Sequence, residues 1–171
     1  MMNKRLRDAF NRQINRELYS AYLYMSMAAY FESIHMKGFA HWMQAQVQEE
    51  LTHAMRMFDY LANRDTRIEL QPIEAPPINW PNPVKVFDDT LTHERAVTGM
   101  INDLVRASLS AGDQDAVLFL KWYVDEQVEE EEHATEALAK TRRAQGDDEA
   151  MLLLDRDMAK RPWPGKETVS R

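Results

Sequence analysis

Four glutamates and a histidine occupy positions that the surrounding pattern reserves for apolar side chains. Glu17 lies on a seam of Phe10, Ile14, Ala21, Tyr24, Ala28 and Phe31. Glu50 and His53 interrupt Phe39, Met43, Met57 and Leu61, and Glu94 interrupts Phe87, Leu91, Thr98, Ile101 and Val105. Gln127 and Glu130 interrupt Ala116, Leu120, Tyr123, Ala134 and Ala137. Each seam recurs at the three-and-four spacing of one helix face. Carboxylates are almost never fully buried unless they are paired or hold a metal. A single mid-helix glutamate on a seam is more often a tilted, solvated side chain. One per helix at matching depth points instead to metal chemistry.

Four carboxylates and an imidazole in one apolar layer repel one another without a cation, which raises carboxyl pKa values. Two divalent cations would neutralise the four carboxylates and give the imidazole a partner. An oxygen-rich set with one nitrogen suits iron or manganese better than a tetrahedral structural zinc. Glu50 and His53, three residues apart, project from one face, and so do Gln127 and Glu130. Inward-facing glutamates with a Glu-x-x-His pair are an established way to build a di-iron site inside a helical bundle.

Such a layer needs helices that bring the four positions to one level. The 171-residue chain fits one domain, and 44% hydrophobic with 29% charged residues and only five glycines favours an all-α protein. The first helix reads from about Asn3 to Ser33 and the second from Gly38 to Asn63. Arg64 to Pro81 loses the periodicity and carries Pro72, Pro76, Pro77 and Pro81, so it reads as a long connection. Asn82 is a suitable N-cap and Pro83 a suitable first residue for a third helix ending near Ala111-Gly112. Asp113 caps a fourth helix to about Ala144, and Asp147 caps a short fifth helix to about Lys160.

Helices of about 27 residues span roughly 40 Å, and a connection of about 18 extended residues reaches about 55–60 Å. The second and third helices can therefore be parallel, while the two short joints make antiparallel pairs. This predicts an all-α four-helix bundle with one long crossover and a short fifth C-terminal helix over residues 1–160, with 161–171 as a flexible tail. Glu17, Glu50, Glu94 and Glu130 then fall near their helix midpoints, at a common level.

Composition narrows the function. With no cysteine, disulfides, thiolate catalysis and cysteine-bound metal centres are excluded. The N-terminal Met1-Met2-Asn3-Lys4-Arg5 has no apolar core of a signal peptide, and the apolar window Leu18–Phe31 is too short and polar to span a bilayer. The net charge of −7 argues against nonspecific DNA binding. A soluble, cytoplasmic protein with neither nucleic acid nor membrane as partner is expected.

Other residues have blander readings. Glu126, Glu129, Glu131 and Glu132 make an acidic run, which usually means a solvated face. His133 creates a competing Glu130-x-x-His133 pair, although the seam favours Gln127 with Glu130. His35 and His41 read as surface residues, and His93 points about 100° away from Glu94. The eleven methionines read as gap fillers, and Trp42 and Trp122 as packing residues. Tyr24 is a core tyrosine in need of a hydrogen-bond partner, and beside a redox metal it can also donate an electron.

The chain resembles the bacterial non-haem ferritins over about residues 3 to 160. The matching stretches are Asn15-Arg16-Glu17-Leu18-Tyr19-Ser20-Ala21-Tyr22, Glu49-Glu50-Leu51-Thr52-His53-Ala54, His93-Glu94 and Trp122-Tyr123-Val124-Asp125-Glu126-Gln127-Val128-Glu129-Glu130-Glu131. The resemblance implies iron storage and a ferroxidase that oxidises Fe(II) with O₂ or H₂O₂. One iron falls to Glu17, Glu50 and His53 and the second to Glu50, Glu94 and Glu130, with Glu50 bridging and Gln127 beside the second. It also implies a third iron position on Glu49, Glu126, Glu129 and Glu130, the family's tyrosine at Tyr24, no haem, and a homo-oligomeric shell of 24 subunits. The fifth helix, with Met151, Leu152, Leu153, Leu154 and Met158, would meet its copies at the fourfold axes.

Departures exclude neighbouring families. Leu51 stands where bacterioferritins place a haem-ligating methionine, and Gln127-x-x-Glu130 replaces their Glu-x-x-His. Mini-ferritins lack the fifth helix, and rubrerythrins carry a cysteine-bound iron. Positions that hold acidic pore residues in animal ferritins correspond to Val117 and Leu120. Two rivals stand beside this reading: a metal-free helical scaffold with a buried charge network, and a haem-lacking bacterioferritin-like di-iron oxidase.

Overall fold

Helix ends fall where side chains can satisfy the free backbone amides. In the computed structural model, which describes residues 2–164, five helices follow one another: α1 Lys4–Ser33, α2 Lys37–Asn63, α3 Pro83–Ser110, α4 Gln114–Ala144 and α5 Asp148–Met158. Asn3, Asn82, Asp113 and Asp147 accept from the amides of Leu6, Lys85, Ala116 and Ala150 and so cap α1, α3, α4 and α5. Gly112 and Gly146, at φ +68° and +86°, take the left-handed conformation that ends α3 and α4. Helix α2 is the exception, because Met36 supplies no side-chain cap. Asp155 of α5 does so instead, its Oδ1 accepting from the amides of Gly38 at 2.9 Å and Phe39 at 3.0 Å. Only glycine permits this approach, since a Cβ at position 38 would lie 1.6 Å from the Asp155 carbonyl oxygen.

The crossover between α2 and α3 is pinned along the length of α1. Asn11 donates to Arg67 O and accepts from Glu69 N at 2.8 Å, and Ser26 donates to Pro77 O at 2.5 Å. The ring of Trp80 stands edge-on to Tyr30 at 5.5 Å, and its indole N–H donates to Asp89. Arg64, just past α2, pairs with Asp113 ahead of α4, while Phe39 and Phe87 meet near the starts of α2 and α3. Helices α2 and α3 are therefore parallel, as the length of the connection predicts.

The core is two apolar clusters with a polar layer between them. One gathers Phe31, Phe39, Met43, Phe87 and Leu138, and the other Leu6, Phe10, Met57, Leu61, Ile101 and Leu120. Each such buried side chain contributes about 1.5–3 kcal/mol, enough in sum to hold a layer of buried carboxylates in place. Helices α1 and α2 pack closely, as do α3 and α4, and α1 and α3. Between α2 and α4, by contrast, no Cα–Cα separation falls to 8 Å among the described residues. Polar side chains bridge that gap.

Helix α5 rests on both α2 and α4. It buries Met158 and partly buries Met151 and Leu154, but leaves Leu152 and Leu153 exposed. Of the expected 161–171 tail, Arg161 and Trp163 lie against α2, and residues 165–171 lie outside the described residues. No helix of the described residues is long and apolar enough to cross a membrane.

Candidate metal centre

The polar layer resolves into groups of ligand atoms lying within 4.8 Å of one another: Glu17, Glu50 and His53; Glu50, Glu94 and Glu130; and His53, Glu126 and Glu130. Glu50 belongs to the first two. Glu17, Glu50, His53, Glu94 and Glu130 are all buried. His53 Nδ1 lies 3.6 Å from Glu50 and 3.9 Å from Glu17, while Nε2 faces Glu126 at 3.8 Å. The Tyr123 hydroxyl donates to the His53 carbonyl at 2.7 Å, and Trp122 stands edge-on to the imidazole.

Amides and a phenol serve the carboxylates without adding charge. Gln13 donates to Glu17 at 2.7 Å, Gln127 to Glu94 at 3.2 Å, and Gln46 to both Glu130 at 2.6 Å and Glu50 at 3.3 Å. Tyr24 donates its hydroxyl to Glu94. Four carboxylates still face a single imidazole, and this excess of acid is what fits a pair of cations.

Burial raises the carboxyl pKa values of Glu17, Glu50 and Glu94. Glu130 is pushed up to about 8, by burial first and then by Glu94 and Glu49. Burial opposes a charge on His53, but Glu126 and Glu50 outweigh it and hold the imidazole well above its usual range. Burial, then Glu94, keeps Tyr24 protonated. The metal-free layer thus holds protons, and binding cations would exchange them.

The remaining sequence-derived candidates divide. Glu126 joins His53 and Glu130, whereas Glu49 is half-buried and ion-paired to Arg161. Glu129 is exposed and in none of the groups found among the described residues. Gln127 lies beside Glu94, and His133 is exposed. His93 meets Ser20 Oγ at 2.8 Å, and burial followed by Arg16 lowers its pKa to about 4. His41 is not a free surface residue, since it contacts Arg161 O and Trp163. Within the subunit Leu120 is fully buried, and Leu118 is an exposed residue of the same turn.

Sequence reasoning missed Gln13, Gln46 and Arg161. The glutamines had a signal: each sits four residues before its glutamate on the same seam, as Gln13/Glu17 and Gln46/Glu50. Arg161, in a proline-flanked segment beyond the last helix, had none.

Fold and layer together describe a helical bundle whose buried carboxylates and histidine could hold metal ions within one subunit. The Ferritin-like domain family model matches residues 7–144. The chain is 37% identical over 161 residues to the bacterial non-heme ferritin of Bacteroides fragilis, covering 94% of this chain and 100% of that protein. It is 32% identical over 163 residues to that of Staphylococcus aureus, covering 95% and 98%. An open pore ferritin from the hyperthermophilic archaeon Archaeoglobus fulgidus matches in structure with a TM-score of 0.93 and 45% identity, covering 95% of this chain and 100% of that one. The chain belongs to the ferritin family.

Proposed function

We propose that this ferritin stores iron by oxidising Fe(II) at the centre within each subunit and passing the ferric product to a mineral inside a hollow shell. The observation that carries this is the sharing of Glu50 between two buried ligand groups, Glu17–Glu50–His53 and Glu50–Glu94–Glu130. Two Fe(II) ions are the substrate. Each gives up one electron, and the pair reduces O₂ to the peroxide level, or H₂O₂ to water. Carboxylates favour the harder ferric ion and change their binding mode readily, which lets the product leave. Glu17 and His53 hold one ion, Glu94 and Glu130 the other, and Glu50 bridges them. Gln127 and Tyr24 steady Glu94, and Tyr24 is placed to supply a further electron. Glu126 and Glu130, with Glu49, are read as a third and weaker position, to which the outward-turned Glu129 adds only from the surface. Iron is the only metal expected, without haem.

The shell is read as a 24-mer of this chain, and the exposed Leu152 and Leu153 on α5 supply an apolar face for its contacts. A metal-free scaffold would have to keep its buried acids protonated, which the raised pKa values of Glu17, Glu50, Glu94 and Glu130 allow, so cation binding separates the two readings. Anaerobic Fe(II) titration followed by stopped-flow oxidation tests the reading. Saturable binding of two or three ions per subunit and a fast oxidation phase are expected; no saturable binding would exclude the centre.

A further inference from the structure

Arg161 lies beyond every helix, yet its side chain is only 12% exposed. The guanidinium donates to the Glu49 carboxylate, to Gln46 Oε1 at 2.8 Å and to Trp42 O at 3.2 Å. Its central carbon stands 4.1 Å from the centre of the Trp42 ring. The backbone is held separately, through a 2.8 Å contact between Arg161 O and His41 Nε2. The segment is therefore anchored even when the side chain is not.

Glu49 is the neighbour of Glu50 and stands one helical turn before His53, whose Nε2 faces Glu126 at 3.8 Å. Burial raises the carboxyl pKa of Glu49, against the pull first of Arg161 and then of His53 and His133, while Glu126 adds to the rise. Arg161 is also linked to Glu130 through Gln46, which accepts from the guanidinium at 2.8 Å and donates to the Glu130 carboxylate at 2.6 Å. The guanidinium N–H on Glu49 Oε2 takes up an acceptor atom that a cation would use. A divalent ion beside Glu126 would also be repelled by the fixed guanidinium.

Room exists for the alternative state. A cavity of about 210 Å³ beside the pair is lined by Trp42, Glu49, His133, Glu136, Lys140 and Arg161. The side chain can swing into it, where it would share Glu136 with Lys140, its ion-pair partner at 2.8 Å.

We propose that Arg161 is a built-in counter-ion that competes with a divalent cation for Glu49, so that the third cation position beside Glu126 and Glu130 fills only when the Arg161 side chain swings away. The inference rests on the reading of the metal centre given above. Arg161 is a positioning residue, because it acts through Glu49 and Gln46 and touches no reacting atom. Its effect is on how many cations the subunit holds and how tightly, while the first pair is left in place.

Anaerobic Co(II) titration of the assembled protein, followed by calorimetry and by Co(II) absorbance, tests this without any turnover. Wild type, Arg161→Ala, Glu49→Gln and the double variant are compared, with circular dichroism to check the fold. The two tight ions are expected in all four proteins. In Arg161→Ala the third ion binds about tenfold more tightly, and the gain vanishes in the double variant. Arg161→Gln keeps an amide donor toward the Trp42 carbonyl while removing the charge, and gives the same gain should Ala loosen the segment. Identical third-ion isotherms in wild type and both Arg161 variants would overturn the proposal. So would a gain that survives Glu49→Gln, which would mean that the segment acts by packing alone. A wild-type protein that binds no Co(II) fails before any variant is compared, and sinks the metal-centre reading itself.

Discussion

Gln46 donates to Glu130 at 2.6 Å, across the one side of the bundle where facing helices stand apart. The same amide reaches Glu50 at 3.3 Å, and its oxygen accepts from Arg161 at 2.8 Å. The two carboxylates themselves require the nitrogen to face the centre, and the bond from Arg161 to the oxygen agrees with that orientation. One neutral side chain thereby orients a carboxylate from α2 and one from α4 without adding to the charge they must share. Gln13 does the same for Glu17 within α1. In a layer where every further charge would raise the cost of burial, amides are the donors that hold carboxylates in place at least expense in desolvation.

Replacing Gln46 by Leu keeps the bulk and removes both donors. Divalent-ion affinity at the centre is then expected to fall by about 10–100-fold, the usual cost of losing an outer partner at a metal site. Helix content should be unchanged. Anaerobic Co(II) titration measures it, and an unaltered affinity would mean that Gln46 merely fills space.

Glu50→Ala should be more severe, because Glu50 is the carboxylate common to both buried ligand groups. Fast Fe(II) oxidation is expected to fall by more than the roughly 100-fold that loss of an outer partner brings. The subunit stays folded, since the substitution also relieves repulsion among buried acids. Near-normal stopped-flow kinetics would remove the bridging role.

The metal-free protein should become less stable as pH rises. Glu17, Glu50, Glu94, Glu130 and His53 all have folded pKa values above their ordinary ones. The native state therefore binds more protons than the unfolded chain. Their contribution is fully present below the ordinary glutamate value of 4.5 and is lost as pH rises toward the value of about 8 for Glu130. Asp8 and Glu136, whose pKa values are lowered by Lys4 and Lys140, act in the opposite sense only in more acid solution, and the single His93, lowered to about 4, opposes the five up to its ordinary value of 6.5. Thermal melts from about pH 5 to about pH 8 should show Tm falling, and saturating Zn(II) should flatten the decline. A flat profile without metal would contradict the shared burial of these carboxylates.

Much of this was legible in the chain because it is local. Seams spaced by three and four residues mark the helices, and Asn82-Pro83, Asp113 and Asp147 mark three of their starts. The level of Glu17, Glu50, Glu94 and Glu130 follows from helix length and the reach of the crossover. Within the acidic run of α4, a rotation of 100° per residue turns Glu126 and Glu130 toward the centre and Glu129 outward. What escaped is non-local. The cap of α2 comes from Asp155 and the partner of Glu49 is Arg161, more than 110 residues away in each case. No periodicity records such contacts.

Gly38 offers a test of that docking. A Cβ there meets backbone rather than a flexible side chain, so Gly38→Ala must push α5 away from the start of α2 and break the Asp155 cap. A loss of about 1–3 kcal/mol is expected, read by chemical denaturation. An unchanged midpoint would mean that α5 contributes nothing to the stability of the subunit.

The two faces of α5 can be separated experimentally. Cutting the chain before Asp147 would remove the apolar face, the Asp155 cap and Arg161 together, so a lost assembly would have several explanations. Leu152 and Leu153 are 53% and 57% exposed, while Met158 on the other face is buried in the subunit. Leu152→Glu with Leu153→Glu therefore places two charges on the outward face and leaves the docked face untouched. A contact between symmetry-related copies repeats any such change at every copy, so like charges accumulate wherever these helices meet. The doubly substituted chain should keep its helix content and its Co(II) binding, yet elute as small oligomers instead of a shell and lose mineral capacity. Size-exclusion chromatography with light scattering reads the outcome, and an intact 24-mer would show that the outward leucines take no part in assembly.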